Sequence, residues 1–330
     1  MASKFQEQER IKQINHIQNT TLFDNSKGGG YFKGKIRDFV LSNSINNLFS
    51  PIREDVVHYF KENNITWWGG NGPTGHVLSS QIACLNHLFH IRNDKESVLA
   101  ILNNIRNEFI EVLPIPSDRA ETYIAFEVVS GDNYLNEPQT TRGANCTSID
   151  ALIYAKHRSG ELWIIPIEWK YTEHYNNQDK SKEDKPGAEN KGLNGKGNER
   201  LARYTPLIHK KEQTQLIEMS EYKGSIYYRE PFYQLMRQTL WAEEVVLHNN
   251  SEGESLKADN YLHIHVIPKK NIDLLNKKYQ VSGKEMEETW RDCLVKQDKY
   301  IIVDPMDLLN PISTTHRELW AYLNSRYWNI

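Results

Sequence analysis

Two consecutive stretches of the chain show the apolar spacing of amphipathic helices. In "VLSSQIACLNHLFHIRND", which starts at residue 77, and in "NDKESVLAILNNIRNEFIEVLP", which follows it, apolar side chains recur at helical spacing. Asn93 followed by Glu96 has the spacing of a capping box at the start of the second helix. The apolar stripe of that helix continues through Phe109 and Val112, and we therefore expect it to end at Pro114.

Shorter apolar runs predict strands further along the chain. Three of them, each bounded by turn-forming residues, are "TYIAFEVV" (122–129), "SIDALIYA" (148–155) and "LWIIPIEWKYT" (162–172). A helical pattern returns in "REPFYQLMRQTLWAEEVVL", and it is followed by a strand-like run, "NYLHIHVIPKK", and a helical C-terminal segment, "TTHRELWAYLNSRYW". This order predicts an α/β fold in which a mixed β-sheet is flanked by helices.

The same pattern divides the chain into three parts. Residues 1–77 are polar with scattered aromatic side chains, and we expect them to form an N-terminal extension packed on the core. Residues 78–270 contain the predicted core, and residues 271–330 are expected to be a helical C-terminal elaboration. Within the core, residues 177–203 have almost no apolar side chain, which predicts a flexible loop.

Composition limits the classes of protein that this chain can belong to. Its 330 residues are 38% hydrophobic and carry a net charge of -3, so the sequence predicts a sizeable core and no global attraction to nucleic acid or membrane. The cysteines, Cys84, Cys146 and Cys293, are far apart and form no C-x-x-C pair, which argues against a disulfide partner or a zinc site. No apolar run is long enough to span a membrane, and the polar N-terminus lacks the apolar core of a signal peptide. We therefore expect a cytoplasmic protein.

A hairpin between the second and third predicted strands brings two acidic residues together. If Gly160 takes the left-handed position of a three-residue loop, the two strands pair symmetrically about Ser159. Asp150 then lies opposite Glu168, and facing residues of an antiparallel pair have Cβ atoms about 5 Å apart. Because side chains alternate between the two faces of a strand, Lys170 shares the face of Glu168.

Two facing carboxylates repel each other, and a divalent cation would remove that repulsion. Carboxylate oxygens suit Mg²⁺, which usually takes one or two protein carboxylates and keeps its other positions for water and phosphate. Lys170 is placed to orient or deprotonate an attacking water and to offset the charge of the transition state. The alternative interpretation is that Glu168 and Lys170 form the solvated face of an edge strand and that Asp150 begins a turn.

The spacing of these residues resembles a known superfamily. "SID" followed by "IEWK" resembles the D…E-x-K signature of the PD-(D/E)xK nucleases, whose restriction-endonuclease-like core has the same order of elements. The segments "LSSQIACLNHLF" and "FYQLMRQTLWAE" are similar to the flanking helices of a bacterial group of uncharacterised nuclease-like proteins. The resemblance implies that Asp150 and Glu168 bind the metal, that Lys170 is catalytic, and that the main-chain carbonyl of Trp169 is an extra ligand. The chain departs from the pattern because Ile149, rather than proline, precedes the aspartate.

Five further residues are candidates on weaker grounds. The superfamily often has a third acidic group on the preceding strand, where Glu127 lies, although an exposed carboxylate is an equally good interpretation. Gln234 and Gln238, one helical turn apart, and Gln81 on the first helix would reach the site if their helices face it; otherwise they are polar helix surface. Arg142 precedes Asp150 and is a candidate phosphate contact, with a surface arginine as the alternative.

These observations lead to one expected function and two alternatives. We expect a Mg²⁺-dependent endonuclease, with Mn²⁺ as a substitute, that hydrolyses DNA and serves in restriction or another form of defence. A non-catalytic nucleic-acid-binding or assembly module with the same fold is the first alternative, because the mildly acidic composition does not favour DNA binding. A nuclease directed at RNA is the second. A homodimer remains open, and the two histidines of "HIH" (263–265) are interpreted as structural.

Overall fold

The computed structural model describes residues 2–138, 141–143, 146–183, 195–210, 214–217 and 225–329. Within these ranges the helices are α1 (Lys4–Asn19), α2 (Arg53–Glu62), α3 (Ser80–Leu88), α4 (Lys95–Ile105), α5 (Lys196–Ile208), α6 (Phe232–Leu247), α7 (Ile272–Leu275), α8 (Met286–Arg291), α9 (Pro305–Leu309) and α10 (Arg317–Leu323). The strands are β1 (Gly28–Phe32), β2 (Lys35–Leu41), β3 (Phe109–Leu113), β4 (Ile124–Val128), β5 (Ile149–His157), β6 (Leu162–Trp169), β7 (Asn260–Tyr261), β8 (His263–Val266) and β9 (Tyr300–Val303). The expected mixed β-sheet flanked by helices is confirmed.

Among the described residues, the main sheet has seven strands and combines an antiparallel half with a parallel half. β3 and β4 both pair with β5, and β5 pairs with β6, all antiparallel. On its other side, β6 pairs parallel with β7 and β8, and β8 pairs parallel with β9. β5 and β6 are nearly continuous apolar runs because both of their faces are covered by helices.

The pairing of β5 with β6 has the register that the sequence predicts. Ala151 pairs with Ile167 and Ile153 with Ile165, so the pairing is symmetric about Ser159. Gly160 has φ +94°, a left-handed conformation that a residue with a side chain rarely adopts. The tight reversal at this glycine therefore sets which residues face each other along the two strands.

Alternate residues of β5 and β6 pack into two different hydrophobic cores. Ile153 and Ile165 belong to the core formed with α2, α3, α4 and the C-terminal helices. Leu152 and Ile164 belong to the other core, which is built largely from α6 and its neighbours. The sheet is consequently a layer between two sets of helices, as its two-residue alternation requires.

A proline marks an interruption on the parallel side of β6. Pro166 pairs with Leu152 of β5, but it has no N–H to donate to a strand on its other side. On that side β7 pairs only as far as Ile164, and the pairing with β8 starts again at Ile167. The break between β7 and β8 therefore coincides with the position of the proline.

The structure corrects the predicted extent of α4. The helix ends at Ile105, its N-cap is Asp94 rather than Asn93, and Phe109 and Val112 lie in β3. The Asp94 carboxylate accepts a hydrogen bond from the main-chain N–H of Ser97 at 3.1 Å. An irregularity in the register of β3 after Phe109 puts two residues three positions apart into the same core, which imitates helical spacing.

Two other segments differ from expectation. Of the predicted loop 177–203, residues 184–194 lie outside the described residues, but α5 starts at Lys196, inside the expected loop. The helix continues beyond residue 203, and the side chains of Tyr204 and Ile208 in that last part are buried in the core. The C-terminal segment is not entirely helical either, because β9 adds a strand to the main sheet.

The N-terminal segment contributes side chains to the core under α3 and α4. Phe23, Leu41 and Phe60 are buried there. The main-chain N–H of Phe5 in α1 also donates to the Asp273 carboxylate at 2.6 Å, which joins this segment to the C-terminal part. In the part of the chain that the structure describes, no helix is both long and apolar enough to cross a membrane.

Candidate active site

The ends of β5 and β6 hold the two acidic residues predicted from the hairpin. The pairing of β5 with β6 ends at Ala151 and Ile167, and Asp150 and Glu168 are the next residues of the two strands. Oδ2 of Asp150 accepts a hydrogen bond from the main-chain N–H of Trp169 at 2.8 Å. This bond connects the start of β5 to the end of β6, and it orients the aspartate beside Glu168.

Glu168 and Lys170 form a buried ion pair on one face of the sheet. Only 3% of Glu168 and 4% of Lys170 are exposed. Nζ of Lys170 donates to Oε1 of Glu168 and to Oε1 of Gln234, the latter at 2.7 Å. The alternative of a solvated edge strand is wrong, because β6 is an interior strand of the sheet and both side chains are buried.

Helix α6 supplies the hydrogen bonds that hold this pair. Gln238 donates from Nε2 to Oε2 of Glu168, and its Oε1 lies 2.9 Å from Nε2 of His263. One turn earlier, Gln234 accepts hydrogen bonds from Lys170 and, at 3.3 Å, from the Tyr175 hydroxyl. Gln234 and Gln238 therefore both contact the Glu168–Lys170 pair.

Sequence reasoning missed Tyr175 and the connection of His263 to the site. The only signal was the alternation of "HIH", which places His263 and His265 on the same face of a strand. That pattern could not identify Gln238 as the partner. The structural interpretation of His263 agrees with this contact, because its buried ring supports the amide that in turn contacts Glu168.

Glu127 of β4 lies beside Asp150 in an unusual backbone conformation. Its neighbours Phe126 and Val128 pair with Ala151 and Ile149, so Glu127 is opposite Asp150 in register. Its φ is +51°, a left-handed value within a strand, which costs about 1–3 kcal/mol for a residue other than glycine. Gln81 of α3 donates to Oε1 of Glu127 at 2.7 Å. The fold thus keeps this carboxylate in a strained position at the site.

The carboxyl groups at the site outnumber the positive charge of Lys170. Burial, and then the negative charges of Glu168 and Glu127, raise the pKa of Asp150 well above its ordinary value. Burial is also the main reason that the pKa of Glu127 is raised. Burial disfavours the charged form of Lys170, but the neighbouring carboxylates, Glu168 foremost, outweigh it and raise the pKa of the lysine. The Lys170 ammonium group therefore stands among four carboxyl groups, those of Glu127, Asp150, Glu168 and Glu173.

A cavity of about 340 Å³ opens beside these groups. That volume is within the range of small-ligand and substrate pockets, about 300–1,000 Å³. Its lining combines the acidic residues with side chains from the N-terminal segment and α6: Trp68, His76, Leu78, Ser79, Ser80, Gln81, Glu127, Gly143, Asp150, Glu168, Lys170, Glu173, Tyr175 and Gln234.

Arg142 binds protein groups around β4, and its predicted contact with phosphate stays a prediction. Both of its terminal nitrogens bind Oδ1 of Asp118 at 3.1 Å, and the guanidinium group also donates to the main-chain carbonyls of Phe126 and Glu127. Asp118 and Arg142 are almost completely shielded from solvent. Through these hydrogen bonds the arginine supports β4 at Phe126 and at the strained residue Glu127.

A comparison with known protein families shows which family the chain belongs to. A family model described as "Restriction Endonuclease associating with ARP" matches residues 8–328. The chain belongs to this family. Its match to a restriction endonuclease family and the mixed sheet together confirm the expected restriction-endonuclease-like fold. No curated protein and no solved structure matches the chain.

The ligand atoms that this member of a restriction endonuclease family offers at the site can be compared with the coordination shell of Mg²⁺. Among the described residues, no group of three or more histidine, cysteine, aspartate or glutamate side chains is arranged to hold a metal ion. Mg²⁺ needs only one or two protein carboxylates, since water and phosphate complete its shell. The Glu168 oxygens already accept hydrogen bonds, but a carboxylate has about four acceptor sites. Asp150 and Glu168 therefore fit a hard cation as a two-carboxylate set.

Proposed function

We propose that the chain is a Mg²⁺-dependent endonuclease that hydrolyses DNA phosphodiester bonds in restriction or a related defence process. One observation carries the proposal: Asp150, Glu168 and Lys170 share one cavity at the ends of two paired strands. Membership of a restriction endonuclease family supports DNA as the substrate. The family description also names an association with ARP, and we include such a partner in the proposal. We further propose that the protein acts in the cytoplasm.

In this proposal each side chain of the site has a definite task. Asp150 and Glu168 would hold Mg²⁺, or Mn²⁺ in its place, with the main-chain carbonyl of Trp169 as a further ligand, and Glu127 would hold a water beside the ion. The ion, when bound, supplies Lewis-acid stabilisation of the phosphate and lowers the pKa of water. Gln238 keeps Glu168 in place through the hydrogen bond between them.

Lys170 stays protonated in this mechanism. Because nearby carboxylates raise its pKa, the lysine is an ammonium ion at neutral pH and a poor general base. Its positive charge lies beside Glu168 and faces the cavity, where negative charge would build up on the phosphate oxygens. We therefore assign charge stabilisation and the orientation of water to Lys170, and not proton abstraction.

A non-catalytic nucleic-acid-binding module remains the second candidate, because one observation favours it. Both oxygens of Glu168 accept hydrogen bonds from protein groups, and the described residues include no three-ligand metal group. A protein that keeps the fold but does not cleave nucleic acid would need neither free Glu168 oxygens nor a three-ligand metal group. A ribonuclease would use the same groups as the proposed enzyme and would differ only in substrate.

Cleavage assays with matched variants separate these functions. Plasmid DNA, linear duplex, single-stranded DNA and RNA are incubated with the protein and Mg²⁺, Mn²⁺ or EDTA. We expect metal-dependent cleavage of duplex DNA that Asp150→Asn and Lys170→Met both abolish, while Lys278→Met, at an exposed lysine far along the chain, leaves it intact. Metal-independent binding without cleavage of any substrate would favour the module, and cleavage of RNA alone would favour the ribonuclease. Activity that survives both site variants would refute the proposed mechanism.

A further inference from the structure

A short hairpin of the N-terminal segment is a well-formed two-stranded ribbon. In it, Tyr31 pairs with Ile36 and Phe32 pairs with Lys35. The two connecting residues, Lys33 and Gly34, have φ +47° and +76°, as in the two-residue turns that match the twist of paired strands. Two residues thus reverse the chain, and the strands of the ribbon stay paired up to its tip.

One face of this ribbon is anchored next to the catalytic cavity. The Phe32 ring lies 4.6 Å from the His76 ring and 5.8 Å from the Trp68 ring, centre to centre. His76 also contacts Phe39, at 5.2 Å. Trp68 and His76 line the cavity that holds Asp150. The ribbon therefore stands at the rim of that cavity.

The other face of the ribbon exposes apolar surface. Tyr31 is 73% exposed and Ile36 is 71% exposed, and these two residues are directly paired across the strands. Trp68, which is 48% exposed, lies on the Phe32 side of the ribbon and is a separate exposed ring at the rim. Single exposed apolar side chains are common, but a contiguous exposed group marks a binding surface.

The ribbon is also the site of a local positive charge. The ribbon and the residue before it, 27–41, carry four basic residues, Lys27, Lys33, Lys35 and Arg37, and one acidic residue, Asp38, whereas the whole chain carries a net charge of -3. All three lysines are exposed. A surface that combines several cations with planar and apolar side chains is suited to a nucleic acid, which offers phosphates and base edges side by side.

We propose that this hairpin, residues 27–37, contacts duplex DNA and positions it over the cavity. A two-stranded ribbon fits the major groove, where the paired Tyr31 and Ile36 would face base edges. Lys33 and Lys35 would bind phosphates on either side. This inference rests on the proposed function and adds to it the surface that holds the substrate.

Binding measurements without cleavage test the proposal. Fluorescence anisotropy of a labelled DNA duplex is followed in EDTA at several salt concentrations. For Lys33→Glu with Lys35→Glu we expect affinity to fall about ten-fold or more and the salt dependence to lose about two phosphate contacts. For Tyr31→Ala with Ile36→Ala, affinity should fall while the salt dependence stays unchanged, because no charge is lost. All four side chains are exposed, so the variants should fold normally.

A charge-matched control separates this surface from a general charge effect. Lys278→Glu with Lys296→Glu changes two exposed lysines in the C-terminal segment and alters the net charge by the same amount. We expect this control to bind DNA nearly as the unmodified protein does. Equal weakening of the control and the hairpin variants would overturn the proposal, as would unchanged binding by the hairpin variants or a wild-type protein that does not bind duplex DNA. If the hairpin variants bind and cleave normally while Lys170→Met is inactive, the proposed function stands and only the hairpin inference fails.

Discussion

Replacing Lys170 by methionine would remove the positive member of a buried ion pair and keep most of the side-chain volume. Glu168 would then retain the hydrogen bond from Gln238, but its charge would have no counter-ion at contact distance. Replacing Glu168 by glutamine would remove the carboxylate that contacts the ammonium group and leave Gln234 as its hydrogen-bond partner. The double variant, with both changes, would leave no charge at either position.

The burial of both groups sets the size of the effects. Removing one partner of a buried ion pair costs about 3–5 kcal/mol, whereas replacing both partners by neutral groups is nearly neutral. Because Gln238 and Gln234 still provide hydrogen bonds, we expect each single variant to lose about 3 kcal/mol of the free energy of unfolding. The double variant should lie within about 1 kcal/mol of the unmodified protein. The two changes should therefore be strongly non-additive.

Urea-induced unfolding at neutral pH, followed by tryptophan fluorescence, measures this cycle. EDTA is added so that no divalent cation compensates the stranded charge in the Lys170 variant. Single variants that each cost less than about 1 kcal/mol would indicate a solvated pair of the kind found on protein surfaces. A double variant whose loss equals the sum of the two single losses would show that Glu168 and Lys170 do not interact. Either result would refute our account of the site.

Three further predictions concern groups around this pair. In metal-free protein, burial and neighbouring carboxylates raise the pKa of Asp150 above its ordinary 3.8, so the folded state binds the proton more tightly. The free energy of unfolding should then fall as pH rises from 3.8 through the raised pKa, and thermal melts should show that Mg²⁺ reverses this loss; the same pH profile in Asp150→Asn would contradict it. Gln238→Leu should slow cleavage about 10–100-fold with unchanged DNA affinity, because the support of Glu168 is lost; full activity in single-turnover assays would argue against this role. Glu127→Gly should be more stable to urea than Glu127→Ala by about 1 kcal/mol, because glycine accepts the positive φ without strain; the reverse order would exclude strain at this position.

Local patterns along the chain were enough to predict the central part of the site. The alternation of apolar residues and the glycine at 160 predicted the pairing of β5 with β6, which runs to Ala151 and Ile167, the residues next to Asp150 and Glu168. The same reasoning failed for β3, where an irregular register made a strand resemble a helix. It failed again for α5, whose few apolar side chains are hidden in a polar stretch. The spacing of apolar residues predicts an element reliably when that spacing is regular. It misleads where a bulge interrupts a strand or where a helix has few apolar residues.

The sequence by itself determined the hairpin and its acidic pair, because a tight turn and a two-residue alternation act between residues close along the chain. Only the tertiary structure decided which groups surround that pair. Gln238 and His263 reach Glu168 from a helix and a parallel strand far along the chain, and the hairpin of residues 27–37 reaches the cavity rim from the N-terminal segment. Such contacts depend on how helices and sheet pack in three dimensions, and no local spacing records that packing.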